Sequence, residues 1–139
     1  MKKFAAVLAL LWLPLMGCSI GSPEGEEIAV LVEEFYQAQQ AGDIEKLLPF
    51  YAGGRAPEQW RMQLEHVQKQ LGKVATYQLK KHEINTVLSG RYYIFEYQVT
   101  YDSGAQAKEI VTLFDTVEAN DKTSVVAHNI SAEGFRSLF

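Results

Sequence analysis

A long β-hairpin between Gly90 and Val117 constrains the fold of this chain more than any other stretch. Residues 92–101 are dense in aromatic and β-branched side chains, which favour β-strands. Residues 102–104 read Asp-Ser-Gly and supply turn chemistry, because glycine takes a positive φ at no steric cost. Residues 109–114 have the same strand character and form the return arm. We therefore expect the rest of the chain to pack on this hairpin or to pair with its edges.

The register of the hairpin decides which side chains share a face of the sheet. With a two-residue turn at Ser103 and Gly104, the numbers of paired residues sum to 207. Glu96, Gln98 and Glu109 then lie on the outer face. The inner face carries the most apolar set, namely Tyr93, Phe95, Tyr97, Val99, Ile110, Thr112 and Phe114. In that register the acidic side chains point away from the core and catalysis is not expected. A three-residue turn would shift the register and turn one arm over.

The N-terminus has the features of a lipoprotein signal peptide. Lys2 and Lys3 precede an apolar run from Phe4 to Met16, which is shorter than the ~20 residues of a membrane-spanning helix. The run ends in Leu-Met-Gly-Cys, which resembles the bacterial lipobox. That resemblance implies cleavage after residue 17 and lipidation of Cys18, followed by a tether of residues 18–25 and a domain of residues 26–139. It also implies anchoring in the cell envelope, with the outer membrane facing the periplasm as the expected location, because Ser19 is not the aspartate that signals inner-membrane retention.

The charge of the mature chain excludes one class of partner. Removing residues 1–17 takes away Lys2 and Lys3, so that 11 of the 13 basic residues remain against all 17 acidic ones, a net charge of −6. Nucleic-acid binding favours a basic surface, so we expect no nucleic-acid partner. Cys18 is the only cysteine, so the domain has no disulfide and depends on its hydrophobic core.

The first part of the domain has helical periodicity. Apolar residues at Ile28, Leu31, Val32 and Phe35 form one stripe of an amphipathic helix that ends at Gly42. Asp43 caps a second, short helix that Pro49 limits. Pro57 opens a third helix, whose core-facing residues are predicted to be Trp60, Leu64, Val67 and Leu71.

From Lys73 onwards the hydrophobic period changes to two. Residues 74–84 form a strand with lysines on one side, which suits a sheet edge. The hairpin follows, and residues 123–131 form the last strand. The prediction is an α+β fold, with N-terminal helices packed on a four-stranded antiparallel sheet.

Several short motifs resemble a known superfamily. They are Phe35-Tyr36-x-Ala38, Gly42-Asp43-Ile44-x-x-Leu47, Trp60…Leu71-Gly72, Gly90-x-Tyr92 and Glu109-x-Val111-x-Leu113. The first two resemble the start of the nuclear-transport-factor-2-like superfamily, and the others resemble a bacterial branch of it known only as a domain of unknown function. The resemblance implies the cystatin-like cone fold shared with ketosteroid isomerase. It does not imply an activity, because one fold carries many functions.

The predicted function is a lipid-anchored periplasmic binding or scaffold module that is not an enzyme and needs no cofactor. In the leading version, the outer sheet face at Tyr92, Glu96 and Gln98 contacts another envelope protein or a second copy of the chain. The alternative is a carrier or sensor that holds a small apolar or lipid-like ligand in the cone. The candidate residues for that pocket are Phe35, Trp60, Tyr93 and Phe95. An isomerase or hydratase is a third hypothesis, which requires a buried carboxylate beside a hydroxyl donor.

The three histidines lack the spacing of metal ligands, so no metal site is expected. His66, His82 and His128 are predicted to lie at the surface or at the boundary of the core.

Overall fold

The computed structural model describes residues 23–118 and 122–139. The predicted signal peptide, the lipidation site Cys18 and most of the tether lie outside the described residues. Within the described ranges, no helix is long and apolar enough to cross a lipid bilayer.

Three helices precede the sheet, as the periodicity predicts. They are α1 (Pro23–Ala41), α2 (Ile44–Leu47) and α3 (Pro57–Leu71). Asp43 caps α2 by accepting a hydrogen bond from the amide of Lys46 at 3.3 Å. Pro49 lies in a 3₁₀ turn (Leu48–Phe50) that closes this short helical segment. The predicted core-facing residues of α3 are its buried ones.

The sheet is antiparallel and its strands pair in chain order. The described strands are β1 (Val74–Val87), β2 (Gly90–Tyr101), β3 (Gln106–Thr116), β4 (Ser124–Ala132) and β5 (Phe135–Leu138). The prediction of four strands was wrong, because it missed β5. That strand follows a two-residue turn at Glu133 and Gly134, and Gly134 has a φ of +71° there. Since β5 has only four residues, its alternation was too short to stand out in the sequence.

The register of the central hairpin differs from the two-residue prediction. Tyr93 pairs with Leu113 and Tyr97 pairs with Glu109, so paired numbers sum to 206. The loop has three residues, and Gly104 takes a φ of +88° within it. The inner assignment of Ile110, Thr112 and Phe114 is therefore wrong, because all of β3 is turned over relative to that prediction.

The helices cover the inner face of the sheet and leave the outer face open. Inner residues of β2, β3 and β4 form the core with α1 and α3, and they include Tyr93, Phe95, Val99, Val111, Leu113 and Ile130. Tyr51, which follows the 3₁₀ turn, pairs with Val125 of β4 through an isolated β-bridge. The amide of Ala52 also donates to the carbonyl of Val125 at 2.9 Å. This contact brings the end of the helical segment onto the sheet.

Candidate functional site

A buried carboxylate with three hydrogen-bond donors lies between the helices and the sheet. Glu109 on β3 has no exposed surface, and its prediction as an outer-face residue was wrong. Tyr36 of α1 donates to Glu109 Oε2 at 3.0 Å, and Tyr101 at the end of β2 donates to Oε1. His128 Nε2 lies 2.8 Å from Oε2. The shift of one residue in the hairpin register is what turns this carboxylate inward.

His128 extends the network to a third tyrosine. Its ring is fully buried, so the surface prediction for this histidine was wrong. Tyr51 Oη lies 2.9 Å from Nδ1, on the side of the ring opposite Glu109. The bridge between Tyr51 and β4 sets this distance, because it fixes the backbone of Tyr51 beside the strand that carries His128.

One arrangement of protons satisfies every group in the network. With Glu109 ionised and His128 neutral, Nε2–H donates to the carboxylate and Nδ1 accepts from the Tyr51 hydroxyl. The carboxylate then accepts from three donors, and each of the three tyrosine hydroxyls has an acceptor. A second proton on His128 would leave the Tyr51 hydroxyl without this acceptor. The network is therefore complete within the protein.

The tyrosine hydroxyls of the network are held in their neutral form. Burial raises the pKa of Tyr36, Tyr51 and Tyr101 well above the usual value near 10, because the phenolate would be desolvated. The negative charge of Glu109 raises the pKa of all three further. These hydroxyls consequently act as hydrogen-bond donors to the network, and not as bases.

The interior cleft beside Tyr101 is very small. The cleft next to Tyr101 is lined by residues of α1, α2, α3 and β1, among them Gln39, Leu64, Val67 and Val74. Its volume is about 10 Å³, which admits at most one water molecule. Among the described residues, Gln39 Nε2 and Trp60 Nε1 are buried side-chain atoms without a hydrogen-bond partner.

The four predicted pocket residues all lie in the core. The ring of Phe35 packs edge-on against the rings of Tyr36, Tyr51 and His128, at centroid distances of 5.4, 5.7 and 5.5 Å. Trp60 lies 4.6 Å from the ring of Tyr51. Tyr93 and Phe95 are buried on the inner face of β2. All four side chains thus belong to the hydrophobic core.

The outer face carries the residues predicted for an interaction surface. Tyr92, Glu96 and Gln98 alternate with the buried residues of β2, and Tyr92 and Glu96 are half-buried while Gln98 is exposed. One row of paired residues crosses all five strands of this face, namely Lys81, Glu96, Ile110, Asn129 and Leu138. Two rows further along the same face, Tyr92 pairs with Phe114, and the centroids of their rings lie 4.6 Å apart.

Two shallow clefts on the outer face meet at Ile110. The larger has a volume of about 250 Å³ and is lined by residues of β3, β4 and β5, namely Lys108, Ile110, Asn129, Ile130, Ser131, Arg136 and Leu138. The smaller has about 160 Å³ and is lined by Lys81, Glu83, Ile94, Glu96 and Ile110. The Nζ of Lys108 and the Oε2 of Glu96 form an ion pair at 2.9 Å beside Ile110. The face thus has an apolar centre and a rim with both signs of charge.

Among the described residues, no group of three or more histidine, cysteine, aspartate or glutamate side chains is arranged to hold a metal ion. His66 and His82 are exposed, and they lie on α3 and β1. Sequence reasoning did not group Glu109 and His128 with the three tyrosines Tyr36, Tyr51 and Tyr101 as one cluster. The only sequence signal for it was the choice between two loop lengths in the hairpin.

Solved structures share the architecture of this chain. Bd1075 of Bdellovibrio bacteriovorus superposes with a TM-score of 0.55 at 14% identity, over 78% of this chain and 40% of Bd1075. This chain therefore corresponds to less than half the length of that protein. A protein of Shewanella frigidimarina assigned as a ketosteroid isomerase superposes with a TM-score of 0.51 at 16% identity, over 73% of this chain and 92% of the other.

The chain adopts the nuclear-transport-factor-2-like fold. At these identities the likeness concerns the fold alone. No protein-family model matches the sequence. No curated protein matches it either.

Proposed function

We propose that this protein is a lipid-anchored, non-catalytic binding module that contacts another protein of the cell envelope through its outer sheet face. The observation that carries this proposal is the contrast between the two faces of the sheet. The interior cleft beside Tyr101 has a volume of about 10 Å³, whereas the outer face has a cleft of about 250 Å³ beside Ile110. Lipidation of Cys18 would hold this face near other envelope proteins.

The chemistry of Glu109 favours a structural role over catalysis. A general base needs a carboxylate lone pair directed at a substrate proton. Both oxygens of Glu109 already accept hydrogen bonds, and the side chain is fully buried. The same packing disfavours a ligand inside the cone.

The composition of the outer face fits a protein partner. Protein interfaces combine an apolar centre, often with aromatic residues, and a polar rim. Here Tyr92, Phe114 and Ile110 supply the apolar part, and Lys81, Glu96, Lys108 and Arg136 supply charges around it. An anchored module that meets its partner within the membrane plane can also work with modest affinity, because tethering raises the effective concentration.

Site-specific photo-crosslinking in living cells tests the interaction face. A photoreactive residue at Gln98 on the outer face should give a discrete product with one envelope protein, whereas one at Lys69 should not. Lys69 is also exposed, and it lies on α3, the layer on the other side of the sheet. The product at Gln98 should disappear when Ile110→Asp places a charge between the two clefts.

Each result has a distinct meaning for the proposal. A product that contains two copies of this chain would mean that the face forms a homodimer and does not contact another envelope protein. Equal crosslinking at Gln98 and Lys69, or none at either, would overturn the proposed face. The anchor is tested separately, because Cys18→Ala should move the protein from the membrane fraction to the soluble fraction. Unchanged fractionation of that variant would contradict lipidation.

A further inference from the structure

One end of the sheet carries a compact group of exposed apolar side chains, which belongs neither to the core nor to the two clefts of the outer face. We call it the β1–β2 tip, and it consists of Val87, Leu88 and Val117. Leu88 lies in the two-residue turn after β1 and is fully exposed, and Val117 is 71% exposed. The amide of Val117 donates to the carbonyl of Ser89 at 3.1 Å, which holds the two segments together. Exposed apolar residues that cluster in this way mark contact sites.

Helix α1 runs antiparallel to β1, so that its N-terminus points towards the β1–β2 tip. Gln40 near the end of α1 donates to the carbonyl of Ala75 at 2.8 Å, at the start of β1. Glu33, two turns earlier in the helix, accepts from the hydroxyl of Tyr77. Moving towards the N-terminus of α1 therefore means moving along β1 towards Leu88.

The hairpin extends beyond the helix by about the reach of the predicted tether. From Glu33 to Pro23 the helix rises ~15 Å, at ~1.5 Å per residue. From Tyr77 to Leu88 the strand can span ~36 Å, at ~3.3 Å per residue. With the helix parallel to a fully extended strand, the overhang is ~21 Å, and the five residues from Cys18 to Pro23 span at most ~18 Å. A bilayer that holds the lipid on Cys18 would thus lie at about the level of the β1–β2 tip.

We infer that the β1–β2 tip inserts into the interfacial region of the bilayer that carries the anchor, and so orients the domain on the membrane. This inference rests on the proposed lipidation of Cys18. The contact is made by the apolar side chains of the tip. The exposed residues in the first turns of α1 include Glu26 and Glu27, which are acidic and so are not attracted to anionic lipids. Binding by the tip should therefore not require anionic lipids, which act through basic residues.

The experiment uses the full chain, processed by cells and reconstituted into phosphatidylcholine vesicles. Leu88→Cys provides a single free thiol for a polarity-sensitive fluorophore, since the sulfur of Cys18 is occupied when it is lipidated. The matched control is Glu133→Cys. This exposed turn residue lies at the opposite end of the sheet, where Ala132 pairs with Ala107 beside the β2–β3 loop.

The label at position 88 should emit at shorter wavelength on vesicles than the label at position 133. Nitroxides on the upper part of the lipid chains should quench it several-fold more strongly. Replacing part of the phosphatidylcholine with phosphatidylglycerol should not increase either effect. Quenching by lipid-borne nitroxides separates burial in lipid from burial against a second copy of the protein.

Two outcomes separate this inference from the anchor on which it rests. If the protein floats with the vesicles but positions 88 and 133 are quenched equally, the tip does not insert and the inference is overturned. If the Cys18→Ala variant also floats with position 88 shielded, the tip inserts alone and the anchor is contradicted instead. If the protein that retains Cys18 did not float with the vesicles, both the anchor and the insertion of the tip would be overturned.

Discussion

Glu109 shows how one residue of loop length can decide the interior of a small domain. The sequence allows a two-residue or a three-residue turn at positions 102–104, and only the longer turn places Glu109 inside. Contacts outside the hairpin favour the longer turn. The hydroxyl of Ser103 donates to the carbonyl of Leu71, and the carboxylate of Asp102 accepts from the amide of Lys73 at 3.1 Å. These contacts join segments 29 to 32 residues apart, so local sequence patterns could not reveal them.

Replacing the buried carboxylate tests its structural role. We expect Glu109→Gln to lower the free energy of unfolding by about 3–5 kcal/mol, because the amide brings two donors to a site that already holds three. Tyr36→Phe removes one of those donors and should cost about 1–3 kcal/mol. Urea unfolding monitored by circular dichroism measures both changes.

The control is the half-buried outer-face carboxylate of Glu96, which forms an ion pair with the exposed Lys108. Glu96→Gln breaks the contact with Lys108 and should cost less than about 1 kcal/mol. If Glu109→Gln cost no more than Glu96→Gln, the buried network would not stabilise the fold.

At the scale of elements, the junction between α3 and β1 depends on a glycine in close contact with the β2–β3 loop. Gly72 has a φ of +87°, and a Cβ added there would lie 1.9 Å from Oδ1 of Asp102. Sequence periodicity predicted all three helices. It did not predict the contact with Asp102, because that contact depends on the sheet.

A pair of glycine substitutions compares a crowded position with an open one. Gly72→Ala and Gly104→Ala impose nearly the same φ, of +87° and +88°, but an added Cβ at Gly104 meets nothing within 4 Å. Backbone strain should cost each variant about 1–3 kcal/mol. Gly72→Ala should cost at least about 1 kcal/mol more, for two reasons. Its ψ of −159° lies in a region that is essentially restricted to glycine, and its Cβ displaces the hydrogen bond from Lys73 to Asp102. Equal unfolding midpoints for the two variants would show that Asp102 adjusts without cost.

At the scale of the whole molecule, buried tyrosines make the free energy of unfolding depend on pH in the alkaline range. Burial is the largest cause of the raised pKa of five of the seven tyrosines, and it raises the pKa of Tyr97 to about 12. In the unfolded chain, a tyrosine has a pKa near 10. Above pH ~10 the unfolded chain loses these protons while the folded chain keeps them, so the free energy of unfolding falls as pH rises.

We expect urea midpoints to decrease between about pH 10 and pH 11.5, with a slope that approaches ~1.4 kcal/mol per pH unit for each buried tyrosine. Tyr97→Phe removes one titrating hydroxyl. It should therefore reduce this slope by ~1.4 kcal/mol per pH unit at pH values below the folded pKa of Tyr97, which is about 12. Phe95→Leu is the control, because it weakens the core without removing a titrating group. A midpoint that stays constant over this range would contradict the assignment of buried, neutral hydroxyls.

The sequence predicts the helices, the outer-face position of Tyr92, Glu96 and Gln98, and four of the five strands. The hydrophobic periods of helices and strands carry that information directly. The buried network escaped prediction because its members come from α1, β2, β3, β4 and the segment after α2. Glutamate is also a residue type that usually lies at the surface, and histidine is intermediate, so neither Glu109 nor His128 was an obvious core residue.

The order of the strands bears on how the chain reaches its native state. Each strand of this sheet pairs with the next one along the chain, so the sheet can form through contacts of short sequence separation. The hydrogen bonds from Tyr36 to Glu109 and between Tyr51 and His128 close loops of 73 and 77 residues. Closing such loops has a larger entropic cost than forming hairpins. We therefore expect the polar core to assemble after the sheet, so that docking of the N-terminal helices limits the rate of folding.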